Sequence, residues 1–185
     1  MTETNEKDCI RLAKNEASSP EILQEFVGRF VKVDRALAKR EDLPPELLTR
    51  LSHSSDRITR RNVAANPSCP PDLLIYLAPQ FPTEFLSNPQ FDWILIEDPS
   101  KFQELDEEVL LRILNRSDCP AAFLRWAAEH GTNEVRLTLV NNKNAPIEVL
   151  KDLSWIGDTY IEKAARAHEK MRQTTPVPID LDRVF

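Results

Sequence analysis

Apolar and polar positions along the chain recur with a period of roughly 25 residues. The segment LAKREDLPPELLTRLS at 37–52 aligns with VAANPSCPPDLLIYLA at 63–78, which begins 26 residues later. Related segments begin at Leu12 and at Leu139. Because self-similarity at a fixed period is the sequence signature of repeat architectures, this recurrence predicts a stack of similar helical units.

Each repeat predicts two helical pieces. In the copy at 63–78, Asn66 precedes Pro67, which disfavours helical dihedrals at Asn66 and ends the first piece. The second piece opens at Pro20, Pro45, Pro71 or the equivalent Ile147. Leucines then fall on one helical face, at Leu47, Leu48, Leu51, Leu73, Leu74 and Leu77. Helices this short are stable only when they stack, so the pattern predicts an all-α solenoid with the leucines as its core.

The repeat pattern predicts one solenoid over residues 5–170. Between about 81 and 106 the register breaks, and we interpret this stretch as one distorted repeat with an insertion. The segment EEVLLRIL at 107–114 has the second-helix pattern. Residues 171–185 are predicted to form a tail, which is either disordered or caps the last repeat with Ile179, Leu181 and Phe185.

Composition agrees with many short helices. The 185 residues include only 3 glycines but 14 prolines, and proline is favoured at helix starts whereas glycine serves tight turns. No apolar run approaches the ~20 residues of a membrane span, and the N-terminal sequence is polar and acidic, unlike a secretory signal. We therefore expect a cytoplasmic protein with no membrane partner.

Candidate catalytic chemistry is sparse. Cys69 and Cys119 occupy the same repeat position and predict small buried spacers, and His130 and His168 are placed to cap helix ends. Glycine-rich phosphate loops and the common hydrolase motifs do not occur in the sequence. The prediction is a protein that is not an enzyme, has no cofactor or metal, and takes no small-molecule substrate.

Charge is distributed unevenly. Residues 29–61 contain nine Lys or Arg against five Asp or Glu, whereas residues 83–118 contain three against nine. In a stack, equivalent positions align, and Arg35, Arg60 and Arg136 lie in or near corresponding first-helix positions. They predict a basic ridge, with Arg57 and Arg61 beside it. The competing interpretation is an ordinary solvated face with ion pairs, and this is the one we favour.

Aromatic residues cluster in the irregular stretch, at Phe81, Phe85, Phe91, Trp93 and Phe102. Either they fill the wider gap that the broken register leaves, or some of them form an exposed patch for a partner. We favour core packing and keep Trp93 as a candidate surface residue. The apolar faces that hold Trp126 and Trp155 predict that both are core residues.

The segment from Val63 to Ala78 resembles the consensus of the leucine-rich repeat variant family, with its Asn-Pro stop, Pro-Pro-acidic start and Leu-Leu-x-x-Leu stripe. The resemblance extends over about two thirds of the chain. It implies a right-handed superhelix of about six to seven repeats in which short α or 3₁₀ helices alternate with α-helices, without a conserved enzymatic activity. A family relative has an iron–sulfur cluster on N-terminal cysteines, but here only Cys9 lies in that region, so no cluster is carried over.

Two function hypotheses follow. The first is a non-catalytic module or adaptor that binds an unidentified protein partner. The second is binding of nucleic acid through the basic ridge on the N-terminal repeats. A net charge of −6 and a pI near 5.2 favour the first, since contact with a phosphate backbone needs a sizeable basic surface.

Overall fold

The computed structural model describes residues 5–15, 17–155, 157 and 159–174. These residues are mainly helical and include no β-strand, which confirms the all-α prediction for them. The helices are α1 (Glu6–Lys14), α2 (Pro20–Gln24), α3 (Val31–Leu37), α4 (Pro45–Ser52), α5 (Arg57–Ala65), α6 (Pro71–Leu77), α7 (Pro82–Ser87), α8 (Pro89–Glu97), a 3₁₀ helix (Pro99–Glu104), α9 (Glu107–Leu114), α10 (Ala121–His130), α11 (Asn133–Asn141), α12 (Ile147–Leu153) and α13 (Thr159–Thr174).

Local sequence signals set the helix boundaries. The second helices begin where predicted, at Pro20, Pro45, Pro71 and Ile147. Helix α5 ends at Ala65, and Asn66 is extended with φ −72° and ψ 125° because a proline follows it. The predicted stripe is confirmed, since the side chains of these leucines are buried: Leu47, Leu48, Leu51, Leu73, Leu74 and Leu77.

The chain divides into two compact units, Met1–Val109 and Leu110–Phe185. In the first unit, α1, α3, α5 and α7 contact one another in sequence, and so do α4, α6 and α8. Helix α5 also contacts α4 and α6, so the two rows of helices pack on each other. In the second unit, α10 contacts α11 and α12, and both of these contact α13.

Buried polar side chains at the ends of the first helices link consecutive repeats of the first unit. The Asn66 side chain donates from Nδ2 to Ala38 O at 2.9 Å and to Arg40 O at 2.7 Å. One repeat later, Asn88 Nδ2 donates to Ala64 O at 2.8 Å. Arg40 makes the equivalent contacts to the repeat before it. We call Arg40, Asn66 and Asn88 the rung residues of this unit.

The second unit repeats the arrangement. Asn142 Nδ2 donates to Leu114 O, and His168 Nδ1 donates to Val140 O. Asn142 and His168 are therefore the rung residues of the second unit. Leu114, the last residue of α9, accepts from a rung residue as Ala64 of α5 does. This is a contact that first helices make elsewhere in the chain, although the sequence of α9 has the second-helix pattern.

The C-terminal helix is longer than predicted. His168 was expected to end a helical segment, but it lies inside α13, which continues to Thr174 through a run without a stop signal. Residues 175–185 lie outside the described residues, together with the predicted capping residues Ile179, Leu181 and Phe185.

One tryptophan prediction is confirmed and the other is wrong. Trp126 lies in α10 and is buried, as predicted. Trp155 is 80% exposed. It lies two residues beyond Leu153, the last residue of α12, so its side chain is not part of the apolar face of that helix.

Candidate functional site

Four residues of the predicted basic ridge lie on two neighbouring first helices, with Arg35 on α3 and Arg57, Arg60 and Arg61 on α5. Arg35 forms a two-point ion pair with Asp56, with Nε to Oδ2 at 2.9 Å and Nη2 to Oδ1 at 2.7 Å. Arg61 Nε donates to Glu84 Oε1 at 2.5 Å. The charges of Arg35 and Arg61 are therefore compensated within the chain.

The remaining arginines of the predicted ridge also contact the protein itself. Arg60 Nη1 donates to Ser54 O at 2.6 Å. The guanidinium of Arg57 lies 5.3 Å from the ring centre of Phe81, a cation–π distance. In the second unit, Arg136 Nε donates at 2.9 Å to a carbonyl of α10. Each of these side chains thus has an intramolecular partner.

The ion pair of Arg35 also fixes the start of α5. Asp56 is the N-cap residue, and its Oδ2 accepts hydrogen bonds from the backbone N–H and the hydroxyl of Thr59 at 2.8 Å and 2.9 Å. Arg35 first, and the hydrogen bonds of Thr59 second, hold the pKa of Asp56 well below its usual range. The same contact raises the pKa of Arg35. This pair has a structural role, because it ties one first helix to the next.

The aromatic residues of the irregular stretch divide into core and surface. The core prediction is confirmed for Phe81, Phe85, Phe91 and Phe102, all of which are buried. The ring centres of Phe85 and Phe91 are 5.2 Å apart, and those of Phe91 and Phe102 are 5.4 Å apart. Trp93 is different, since it is 47% exposed on α8. Trp93 thus remains a candidate surface residue.

A cleft of about 540 Å³ lies in the first unit, between the turn that follows α2 and the C-terminal end of α4. Its polar lining consists of Arg29, Asp34, Arg50, His53, Ser54 and Ser55. Its apolar lining consists of Val27, Val31 and Leu51. We call this the Arg29/Arg50 cleft.

Asp34 lines the Arg29/Arg50 cleft and fixes the turn at Gly28 by a hydrogen bond. The side chain of Asp34 is buried on α3, and its Oδ1 accepts from Gly28 N at 2.8 Å. Gly28 has φ +85°, a conformation that favours glycine, so the turn depends on this residue. Burial raises the pKa of Asp34, while the hydrogen bond from Gly28 and the charge of Arg50 act in the opposite direction.

The two arginines of the cleft differ from those of the predicted ridge. Arg29 and Arg50 are exposed, and within the part of the chain that the structure describes neither guanidinium forms an ion pair or a hydrogen bond. His53 lies beside them, with its ring stacked on that of Tyr76 at a centroid distance of 5.8 Å. The cleft therefore presents cationic donors that no contact in the described chain occupies.

Sequence reasoning missed Arg29 and Arg50. It compared equivalent positions of the first helices, whereas Arg29 lies in a turn and Arg50 on a second helix. The available signal was weak: both residues lie in the basic stretch 29–61, but nothing in that stretch separates paired from unpaired arginines.

The cysteines have the buried positions that the repeat predicts. Burial raises the pKa values of the Cys69 and Cys119 thiols to about 12, and Cys9 is also buried. Among the described residues, no group of three or more His, Cys, Asp or Glu side chains is placed to hold a metal ion. Across the same residues, every helix is too short or too polar to span a membrane.

Comparison with protein-family models, curated proteins and solved structures finds no match to this chain. The resemblance to the leucine-rich repeat variant family therefore rests on the repeat motif itself.

Proposed function

We propose that the chain is a non-catalytic protein–protein interaction module. In this proposal it is built as a right-handed α-solenoid of about six to seven degenerate turns, in which short α or 3₁₀ helices alternate with α-helices. The observation that supports it best is the repeated rung. In each unit a polar side chain, from Arg40, Asn66, Asn88, Asn142 or His168, donates to a backbone carbonyl near the end of an earlier helix, 24 to 28 residues before it in the sequence.

The rung favours a solenoid because it acts between neighbours in sequence. Each rung donates to a carbonyl at or just beyond the end of a helix, where intrahelical donors run out, and the donor belongs to the next repeat. A repeat is then complete only when another one follows it. Stacks of this kind expose long surfaces relative to their mass, which is the geometry that repeat proteins use to bind partners.

Exposed apolar side chains favour a protein as the partner. In the first unit Tyr76 is 52%, Trp93 47% and Ile96 75% exposed. Trp93 and Ile96 are three residues apart on α8, and therefore share one helical face. Large aromatic residues are enriched at the centres of protein interfaces. Removal of these side chains from water is the driving force that we propose for binding.

Binding of nucleic acid through the predicted ridge is the alternative. Arg35 and Arg61 are already paired with Asp56 and Glu84. A phosphate backbone would have to displace both carboxylates, whose negative charges would then face it. This geometry favours the protein partner over the nucleic acid.

Affinity capture from native cell extract tests the proposal, with the wild-type chain and a Trp93→Ala, Ile96→Ala variant as baits. We expect a specific protein that resists nuclease treatment and is depleted in the double variant. Thr83→Ala on α7, an exposed position outside this face, is the control and is expected to retain the partner. Recovery of nucleic acid that is lost with nuclease and high salt would support the alternative, and a substrate turned over by the purified chain would refute a non-catalytic role.

A further inference from the structure

We propose that the Arg29/Arg50 cleft binds an acidic segment of the protein partner, with Asp or Glu carboxylates received by the two guanidinium groups. This inference rests on the proposed function, because it assigns the chemistry of a partner to a site on the module. It differs from the predicted ridge in its residues and in its position.

The arginines that line the two clefts of the first unit differ in their contacts. A second cleft in the same unit, of about 510 Å³, is lined by Arg40, but Arg40 is buried and already bonded to Ala13 O, Asn15 O and Asp42. In the Arg29/Arg50 cleft the guanidinium groups are exposed and have no such partners in the described chain. Arginine presents a planar fork of donors that matches a carboxylate at two points. The guanidinium donors of Arg29 and Arg50 are therefore available to bind a ligand.

The backbone on both sides of the cleft is held in place before a ligand binds. The turn that carries Arg29 is closed by the hydrogen bond from Gly28 N to Asp34, and by Arg29 N donating to Phe26 O at 3.1 Å. Arg50 lies on α4, which is anchored in the core by the buried side chains of Leu47, Leu48 and Leu51. Because the backbone on both sides is fixed, binding has to order little more than the two arginine side chains.

The surroundings of the cleft favour a carboxylate over a phosphate backbone. Asp34 lies buried at the cleft, and the chain as a whole has a net charge of −6, so a ligand with dense negative charge is opposed. The cleft also has an apolar wall in which Val31 remains 48% exposed. A segment that alternates acidic and apolar side chains satisfies the cations and covers this wall, whereas a sugar-phosphate chain satisfies only the cations.

The contact between His53 and Tyr76 indicates the direction in which a bound acidic segment would extend beyond the cleft. His53 lines the cleft, and its ring stacks on Tyr76, which is 52% exposed on the next second helix. An apolar side chain that leaves the cleft over His53 would meet this aromatic surface. The expected ligand is thus a short acidic stretch with an apolar residue beside it.

The test is selection from a display library of short random peptides, using the wild-type chain as target. Enriched peptides are then synthesised with a fluorophore and measured by anisotropy against wild type and against Arg29→Gln, Arg50→Gln. The matched control is Arg11→Gln, Arg112→Gln, which removes the same charge from exposed positions outside the cleft. Circular dichroism verifies that each variant is folded.

We expect peptides rich in Asp or Glu with an apolar residue. The cleft variant should weaken their binding by about tenfold or more, and the control variant by less than about twofold. Arg29→Lys, Arg50→Lys keeps the charge but loses the planar fork, so an intermediate loss is expected. Exchange of Glu for Gln in the peptide should reproduce the loss.

Four results would overturn the inference. Peptides without an acidic bias, or acidic peptides that bind the cleft variant as well as wild type, would place the ligand elsewhere and leave the interaction module intact. Displacement of the peptide by an equal concentration of a mixed-sequence oligonucleotide would identify phosphate as the ligand. If selection enriches nothing and affinity capture also recovers no protein, the inference and the proposed function both fail.

Discussion

Residues 57–78 and residues 82–104 are two helical stretches whose helices are connected in different ways. In the first stretch a loop separates α5 from α6, whereas in the second a single residue, Asn88, ends α7 and begins α8. Both stretches nevertheless use an asparagine as a rung, Asn66 and Asn88, with two donors to the carbonyls of the preceding repeat. The polar link is retained although the loop and the helix lengths change.

The apolar interior of the two stretches differs far more. The first is filled by leucines of α6, and the second by the ring cluster of Phe85, Phe91 and Phe102. The physical reason is that a core requires apolar volume, which different side chains can supply, while two buried carbonyls require donors in fixed positions. Specific hydrogen bonding, rather than specific packing, is therefore the common feature of the repeats.

The largest effect is expected from the ring cluster. Phe102→Ala removes a fully buried side chain that contacts two other rings, and should reduce the free energy of unfolding by about 3–5 kcal/mol. Urea denaturation followed by circular dichroism measures the loss. Phe102→Leu, which leaves a smaller cavity, should cost clearly less. An equal cost for both variants would contradict a packing role.

A smaller effect is expected from the rung. Asn66→Ala leaves Ala38 O and Arg40 O without their donor, which should cost about 2 kcal/mol in the same measurement. Ser68→Ala removes an exposed donor to Glu41 O beside the same rung, and should cost less than about 1 kcal/mol.

Labelling of the cysteine thiols measures whether the effect of Asn66→Ala is local. Cys69 follows Asn66 closely and is buried, whereas Cys119 lies in the second unit. If Asn66→Ala opens its own repeat, native-state labelling of Cys69 should accelerate by about 30-fold, the factor that corresponds to about 2 kcal/mol. Equal acceleration at Cys119 would mean that the rung acts on the whole protein and not on one repeat.

The sequence predicted those features that depend on neighbouring residues. Pro45 and Pro71 began helices, Asn66 ended one, and the leucine spacing identified the buried face. Each of these follows from dihedral preferences or helical periodicity alone. The stop signal was informative even in the irregular stretch, where Asn88 before Pro89 proved to be a rung residue.

Features that depend on distant partners were not predicted. Asp98 precedes Pro99 as Asn66 precedes Pro67, and it too ends a helix, but its side chain contacts Ser100 and Lys101. The arginine pattern did not reveal that Arg35 meets Asp56, because that contact joins different helices. For the same reason the open arginines of the cleft were visible only once the turn at Gly28 had been placed beside α4.

The first helices of the two stretches also differ in their N-cap residues, and the pH dependence of stability measures this difference. The N-cap of α5 is Asp56, whose carboxylate caps the helix, whereas the N-cap of α7 is Phe81, which has no capping side chain. The pKa of Asp56 is lowered in the folded protein, so the folded state binds fewer protons at this group than the unfolded state. Its stabilisation is present above the unfolded pKa of about 4 and is lost as the pH falls below it.

Asp56→Asn should accordingly flatten the pH dependence of stability in the first unit. We expect the urea midpoint of wild type to fall more steeply than that of the variant between about pH 4 and pH 2. Arg35→Gln should flatten the same window, because the guanidinium of Arg35 is the main cause of the lowered pKa. Parallel curves for wild type and both variants would show that the cap of α5 contributes no more to acid sensitivity than the uncapped start of α7.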